Sequence, residues 1–109
     1  MVKTRRRRQN RPVGAESQDY LLNAAYDQHD NLSMVYRTFV KKKPIILFDI
    51  QEQRIYAYPC KEFGKELANE RSRRMLNEQY KKALLTNQMV VFVRDNENEK
   101  LVSFSLDWQ

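Results

Sequence analysis

The sequence predicts an α+β domain with two N-terminal helices, a β-hairpin, a further helical stretch and a second β-hairpin. Its four strands are expected to form one mainly antiparallel sheet packed by the helices. Three observations predict this fold class. Apolar residues recur with helical spacing in the first third of the chain, and two dense apolar runs follow at Ile45–Ile50 and Met89–Val93. Each run is succeeded, after a short polar segment, by a stretch in which apolar and polar residues alternate.

Two helices are predicted before the first strand. Ser17 can cap the first helix, which carries apolar residues on one side and ends near His29. Apolar residues of the second helix recur at i, i+3, i+4, i+7 and i+8, the spacing of an amphipathic stripe. They are Leu32, Val35, Tyr36, Phe39 and Val40. Lys41–Lys43 would then fill its last turn, and Pro44 would end it.

The remaining elements are predicted from changes in the spacing of apolar residues along the chain. The strand Arg54–Tyr58 pairs with the first apolar run, and the strand Leu101–Leu106 pairs with the second across an acidic turn. Between the hairpins, the helical phase changes around Asn69–Ser72. This predicts either a break capped by Ser72 or one long helix with an exposed middle, ending at Asn87 or Gln88. The two hairpins share a pattern that an old duplication or common hairpin physics would explain.

The net charge of the chain is concentrated at its N-terminus. The 109 residues include 20 Lys and Arg against 14 Asp and Glu, a formal charge of +6. Six basic residues fall in the first twelve positions, which hold no acid: Lys3, Arg5, Arg6, Arg7, Arg8 and Arg11. Residues 13–109 hold 14 charges of each sign. We therefore expect residues 1–16 to be a disordered Arg-rich arm and residues 17–109 to be a single α+β domain.

Several classes of protein are excluded by composition. A balanced body excludes a uniformly basic protein of the histone kind. The longest apolar run, Met89–Val93, is far shorter than the roughly 18 residues that a membrane span needs, so no membrane partner is expected. A single cysteine, Cys60, can form neither an internal disulfide nor a thiolate zinc site. We expect a cytoplasmic location and no cofactor.

The basic arm is the strongest functional signal. Guanidinium groups form charge-assisted, often bidentate hydrogen bonds with phosphate, so the arm predicts contact with RNA, DNA or a ribosome. The alternatives are contact with a protein or an anionic lipid, and a solvated tail with no specific partner.

The strand Arg54–Tyr58 is a second candidate. Its period places Arg54, Tyr56 and Tyr58 on one face, which could stack unpaired bases if it were open to solvent. Ser103 and Ser105 suggest that one face of the last strand is wet. The alternative is that helices cover the tyrosines as ordinary strand residues.

Other charged clusters have structural explanations. The helical stretch carries Arg71, Arg73, Arg74, Lys81 and Lys82. Glu78 stands four residues from both Arg74 and Lys82, so ordinary ion pairs on a solvated face are expected there.

Enzymatic chemistry finds little support in the sequence. His29 is the only histidine, and its acidic neighbours are typical of a turn. Cys60 stands at a helix start that would stabilise a thiolate, but only His29 could serve as its base. Asp49, Glu52 and Glu62 lack the accompanying lysine of a magnesium nuclease. No enzyme is predicted.

The sequence therefore predicts a small non-enzymatic binding protein whose disordered arm contacts RNA or DNA, in a ribosome-associated or regulatory role. The alternative is a protein interaction adaptor or homodimer that uses the sheet face or edge, with Tyr56, Tyr58 and Trp108 as anchors.

Overall fold

The computed structural model describes residues 13–67 and 69–109, with residues 13–18 described by their backbone alone. Its elements repeat the order helix, helix, strand, strand. They are α1 (Val13–Asp27), α2 (His29–Thr38), β1 (Ile45–Asp49), β2 (Arg54–Tyr58), α3 (Cys60–Glu66), α4 (Glu70–Thr86), β3 (Met89–Asp95) and β4 (Lys100–Leu106). The strands form one mixed sheet in the order β2-β1-β3-β4. The predicted α+β class and mainly antiparallel sheet are confirmed.

The two hairpins meet through their first strands. β1 and β3 pair in parallel at the centre of the sheet, with Ile45 opposite Val90, while each hairpin is antiparallel. Because β1 and β3 run the same way, loops 50–53 and 96–99 lie at one end of the sheet, which we call the hairpin end. The opposite end, where Pro44 and Gln88 precede the central strands, is called the start end.

Both faces of the central strands are apolar, so each face is buried by its own pair of helices. α1 and α2 cover one face through Leu21, Ala25, Leu32 and Tyr36. Their strand partners are Ile46, Phe48, Met89, Val91 and Val93. α3 and α4 cover the other face through Phe63, Leu67, Leu76 and Ala83, against Ile45, Leu47, Val90 and Phe92. The result is a three-layer arrangement with the sheet in the middle.

The N-terminal helix begins earlier than the sequence predicts. α1 starts at Val13, four residues before the predicted cap at Ser17, so residues 13–16 are helical and not part of an arm. Ala15 and Glu16 are good helix formers, which favours the extra turn. Residues 1–12 of the predicted arm lie outside the described residues.

The second helix ends earlier than predicted. α2 ends at Thr38, and a short 3-10 turn at Val40–Lys42 leads to Lys43, whose φ of 48° is left-handed. The lysines therefore lie beyond the α-helix and not in its last turn. Phe39, predicted to belong to the buried stripe, is 48% exposed. The α-helix ends one residue before it, so helical spacing no longer directs its side chain toward the core.

Of the two alternatives predicted between the hairpins, the structure shows the break, but its cap is a different residue. Asn69 accepts a hydrogen bond from the backbone N–H of Ser72 (2.8 Å), so Asn69 and not Ser72 caps α4. Arg73 donates to the carbonyl of Leu67 (2.8 Å) and fixes the bend. Asn87, one of the two predicted end residues, caps α4 and lies in the left-handed region.

The two hairpins of the domain are closely matched. Both hairpin loops have four residues, and each ends on a positive φ, 55° at Gln53 and 53° at Glu99. An aspartate precedes each loop and accepts a backbone N–H three residues later. The helices of the two halves lie on opposite faces of the sheet and differ in length, so the match extends to the hairpins and not to the helices.

Two buried carboxylates fasten the hairpin end. Asp49 is fully buried and accepts from Arg94 Nε (2.7 Å). Asp95, 3% exposed, accepts from Tyr20 Oη (2.5 Å), Gln51 Nε2 (2.7 Å) and Asn98 Nδ2 (2.8 Å). These bonds join α1 to both hairpin loops.

Hydrogen bonding keeps both carboxylates ionised. Burial alone would raise the pKa of Asp49, but the Glu52 N–H and the Arg94 guanidinium outweigh it and lower the pKa. The hydrogen bond from Tyr20, followed by that from Asn98, lowers the pKa of Asp95 strongly. A lowered folded-state pKa stabilises the fold above the unfolded value of about 3.9, and this stabilisation is lost as the pH falls through the folded pKa.

We predict that Asp95→Asn lowers the free energy of unfolding at pH 7 by about 1 to 3 kcal/mol, because a charge-assisted acceptor in a buried network is lost. The acid decline below about pH 4 should also become shallower than in the wild type, because one depressed carboxyl no longer titrates. Urea unfolding at several pH values measures both effects. Glu97→Gln, an exposed change in the same loop, is the control, and pH profiles of Asp95→Asn and wild type that run parallel would contradict the prediction.

Candidate nucleic-acid interface

The chain enters the folded part of the molecule at the hairpin end. Tyr20 of α1 is hydrogen-bonded to Asp95 at this end. The turn between α1 and α2 lies at the start end, where His29 Nε2 is 2.6 Å from the carbonyl oxygen of Asp107. The helix therefore runs away from the hairpin end, and Val13 lies about 10 Å beyond Tyr20 along its axis. The basic arm residues Lys3, Arg5, Arg6, Arg7, Arg8 and Arg11 lie outside the described residues.

Arg54, Tyr56 and Tyr58 share one side of the edge strand β2, and this side faces the α3 and α4 layer. The ring of Tyr58 packs on Phe63 with centroids 5.4 Å apart, and Tyr56 lies 6.1 Å from Tyr58. Tyr56 Oη donates to Glu52 (2.6 Å). The N-terminal helices cover the opposite side of β2 and do not cover the tyrosines. α3 packs on the tyrosine side instead, so Tyr56 and Tyr58 form no broad open platform. Arg54 remains exposed, at the hairpin end.

The prediction of a wet face on the last strand is wrong. Ser105 Oγ donates to Gln79 of α4 (2.7 Å). Ser103 Oγ is buried and has no hydrogen-bond partner among the residues that the structure describes. The serines lie beneath α4, where small side chains allow a close helix approach, so alternation on β4 marks helix packing and not solvent.

α4 carries several cations without an ion pair. Arg71, Arg74, Lys81 and Lys82 are exposed, and within the described ranges no carboxylate lies within 4.0 Å of any of them. The predicted pairs with Glu78 do not form. At 100° per residue, Arg71, Arg74 and Lys81 all fall on the side of α4 opposite its buried residues.

The balanced body is therefore not electrostatically uniform. α4 contains five basic and two acidic residues, a sum of +3, whereas α1 contains three acidic residues and no basic one. These helices lie on opposite faces of the sheet. The sequence shows both sums, but their separation depends on which face each helix covers, which periodicity does not reveal.

A groove of about 250 Å³ lies between the start of α4 and the second hairpin at the hairpin end. Asn69 and Ser72 line one wall, and Arg94 and Lys100 line the other. Arg94 is already paired with Asp49. Two carboxylates, Glu66 and Glu99, also line the groove, so its charge is mixed and it is no dedicated anion pocket.

Two of the residues considered for catalysis, His29 and Asp49, make hydrogen bonds within the fold. His29 ties the α1–α2 junction to the end of β4. Burial raises the pKa of the Cys60 thiol, which opposes the thiolate stabilisation expected at a helix start. Across the described ranges, no three His, Cys, Asp or Glu side chains are grouped to hold a metal ion. Nor does any helix within those ranges have the length and apolarity to cross a membrane.

Comparison of the chain with protein-family models, with curated proteins and with solved structures finds no match.

Proposed function

We propose that this protein binds RNA or DNA through its hairpin end, with the basic arm as the main contact and α4 as the second. The observation that carries the proposal is the charge distribution. Six basic residues without an acid precede a body in which all other charges balance. Such a concentration attracts polyphosphate by counterion release, which requires no base recognition.

The position of the α4 cations supports this function. Because α4 precedes β3 and runs against it, Arg71 and Arg74 lie at the hairpin end, the end from which α1 continues into the arm. Arg54 is exposed at the same end. A 12-residue arm spans up to about 40 Å when extended, enough to pass across a three-layer domain. One nucleic-acid strand could therefore contact the arm and the start of α4 together.

The contacts proposed are with phosphates and not with bases. Tyr58 is engaged with Phe63, and Tyr56 is half-buried and bonded to Glu52. Stacking on this strand would require α3 to move. Phosphate contacts position a protein on nucleic acid without reading its sequence, so binding is expected to be strongly salt-dependent and weakly sequence-dependent.

A second candidate function is association through a sheet edge, as an adaptor or homodimer. Residues 101–106 of the edge strand β4 contain neither a charge nor a proline, whereas β2 begins with Arg54 and is followed by Pro59. Unprotected edges pair with other strands. Trp108 is no free anchor, because it packs on Tyr36 (5.3 Å) and donates to the Asn87 carbonyl (2.9 Å). Sedimentation equilibrium at high salt would detect such an association.

We predict that replacing Arg5, Arg6, Arg7 and Arg8 by Gln in the full chain reduces the steepness of the log–log salt dependence for duplex DNA by about 3 to 4, since each lost phosphate contact removes about 0.9. The pair Arg71→Gln and Arg74→Gln should reduce it by up to about 1.8. Fluorescence anisotropy with labelled duplex DNA and single-stranded RNA, over a series of salt concentrations, measures both.

The matched control is Lys81→Gln with Lys82→Gln, which removes the same charge from the other end of α4. It should change affinity less than the arginine pair. A fourfold arm variant that binds as tightly and with the same salt slope as the wild type would refute the proposal.

A further inference from the structure

A surface groove of about 400 Å³ lies where α2 ends, at the start end of the domain. One continuous segment lines it: Arg37, Thr38, Phe39, Val40, Lys41 and Lys42. Because these residues are consecutive, their proximity is fixed by the backbone and does not depend on how separate elements pack. Three of the six are basic and none is acidic, so the groove is positively charged. We call it the Phe39 groove.

Phe39 supplies the aromatic ring of the groove and is 48% exposed. The other four phenylalanines of the chain are buried or half-buried. Tyr36 and Val40, on either side of Phe39 in the chain, already pack on the core. A single exposed apolar side chain is ordinary on a protein surface, so exposure alone carries no inference. What distinguishes Phe39 is the set of cations beside it.

The cations beside Phe39 are available to an anion. They are Arg37, Lys41, Lys42 and, one position beyond the groove, Lys43. Across the described ranges, no carboxylate lies within 4.0 Å of any of the four. Arg37 Nη1 donates to the Trp108 carbonyl (3.1 Å), which uses one of the five guanidinium donors. The acid next to Trp108 in the chain, Asp107, accepts from Gln88 Nε2 (3.1 Å). Even with this carboxylate counted, positive charge predominates beside Phe39.

The backbone of the groove is held in place before any ligand binds. In the 3-10 turn after α2, the Lys42 N–H donates to the Phe39 carbonyl (3.0 Å). The Lys43 N–H likewise donates to the Val40 carbonyl (3.0 Å), and the buried Pro44 follows at once. A preorganised site loses little conformational entropy on binding, so a small ligand surface suffices for measurable affinity.

We propose that the Phe39 groove binds unpaired nucleotides of single-stranded nucleic acid. The ring of Phe39 stacks on one base, and Lys41 and Lys42 contact the adjoining phosphates. An aromatic side chain set among cations is the combination by which proteins hold single strands without reading their sequence. The bases of a duplex are stacked on each other, so a duplex gives Phe39 nothing to stack on. A lipid surface is disfavoured, because one exposed ring is a weak apolar anchor.

This inference rests on the proposed function only for the class of partner, nucleic acid. The groove lies at the opposite end of the domain from Arg71 and Arg74 and shares no residue with the arm. It adds a preference for single strands to the phosphate contacts proposed for the hairpin end. Each surface can therefore fail in experiment without the other.

The test measures binding of a short fluorescein-labelled oligothymidylate, and of a duplex of the same length, to the full chain by anisotropy. Oligothymidylate is chosen because it forms no stable secondary structure. Phe39→Ala is expected to bind the single strand between about fivefold and about 150-fold more weakly, the usual cost of losing one base–aromatic stack. Its binding to the duplex should stay within twofold of wild type.

Further substitutions separate stacking from other contacts. Phe39→Tyr keeps a flat ring and should bind the single strand within twofold of wild type. Phe39→Leu keeps an apolar side chain without the ring and should weaken binding as Phe39→Ala does. Lys41→Gln with Lys42→Gln should reduce the steepness of the log–log salt dependence for the single strand by up to about 1.4, whereas Phe39→Ala should leave the slope unchanged.

Tyr26→Ala is the matched control, because it removes an aromatic side chain that is 56% exposed on α1 and does not line the groove. It should bind the single strand within twofold of wild type, and circular dichroism checks that each variant is folded. A measurement on the wild type avoids substitution altogether. The ring protons of Phe39, followed by nuclear magnetic resonance, should move upfield as oligothymidylate is added and stay in place as the duplex is added.

The proposal is overturned if oligothymidylate fails to bind the wild type, or if the Phe39 ring protons do not move when it is added. It is also overturned if Phe39→Ala binds the single strand within twofold of wild type, or if Phe39→Leu binds it as tightly as Phe39→Tyr. Binding to phosphatidylserine vesicles that Phe39→Ala loses, with oligothymidylate binding unchanged, assigns the groove to lipid instead.

The fourfold arm variant distinguishes this inference from the proposed function. If that variant binds the duplex like wild type, the proposed function fails, while the loss of single-strand binding in Phe39→Ala still stands. If the arm variant loses duplex binding and Phe39→Ala loses no single-strand binding, the inference about the groove fails alone.

Discussion

The parallel pairing of β1 with β3 is the constraint on which the rest of the structure depends. The two central strands are apolar on both faces, and a sheet with such a centre is stable only if helices cover each side. Each helix pair therefore packs on its own face. The same pairing gathers both hairpin loops at one end and the helix ends that precede the strands at the other. The distinction between the two ends follows from strand direction alone.

Strand direction also determines where charge and apolar surface are found. α4 presents its arginines at the hairpin end and its lysines and leucines at the start end, because it runs from the hairpin end to the start of β3. At the hairpin end, buried Asp49 neutralises Arg94 and buried Asp95 anchors Tyr20. The positive charge that remains available comes from exposed side chains outside the core. Function is thereby proposed for side chains that the fold does not need.

The local sequence pattern predicted the helices and strands well, but it predicted poorly which of their side chains are buried. Alternation located β2 and β4, and the phase change located the α3–α4 bend, since these signals come from neighbouring residues. Phe39 was misjudged because the helix stop lies within its stripe, and Ser103 was misjudged because periodicity cannot show that α4 covers it. The Asp49–Arg94 pair joins residues 45 positions apart, so it follows from the β1–β3 pairing and not from any local signal. The basic arm lies outside the described residues and stays a prediction.

Nuclear magnetic resonance mapping of a duplex titration tests the central claim most directly. Backbone amide shifts of the ¹⁵N-labelled full chain would be followed as a short DNA duplex is added at low salt. The account predicts progressive shifts in the arm and around Arg54, Arg71 and Arg74, with Lys81, Lys82 and Leu85 unmoved. Shifts confined to the start end, or spread evenly over both ends of α4, would contradict it.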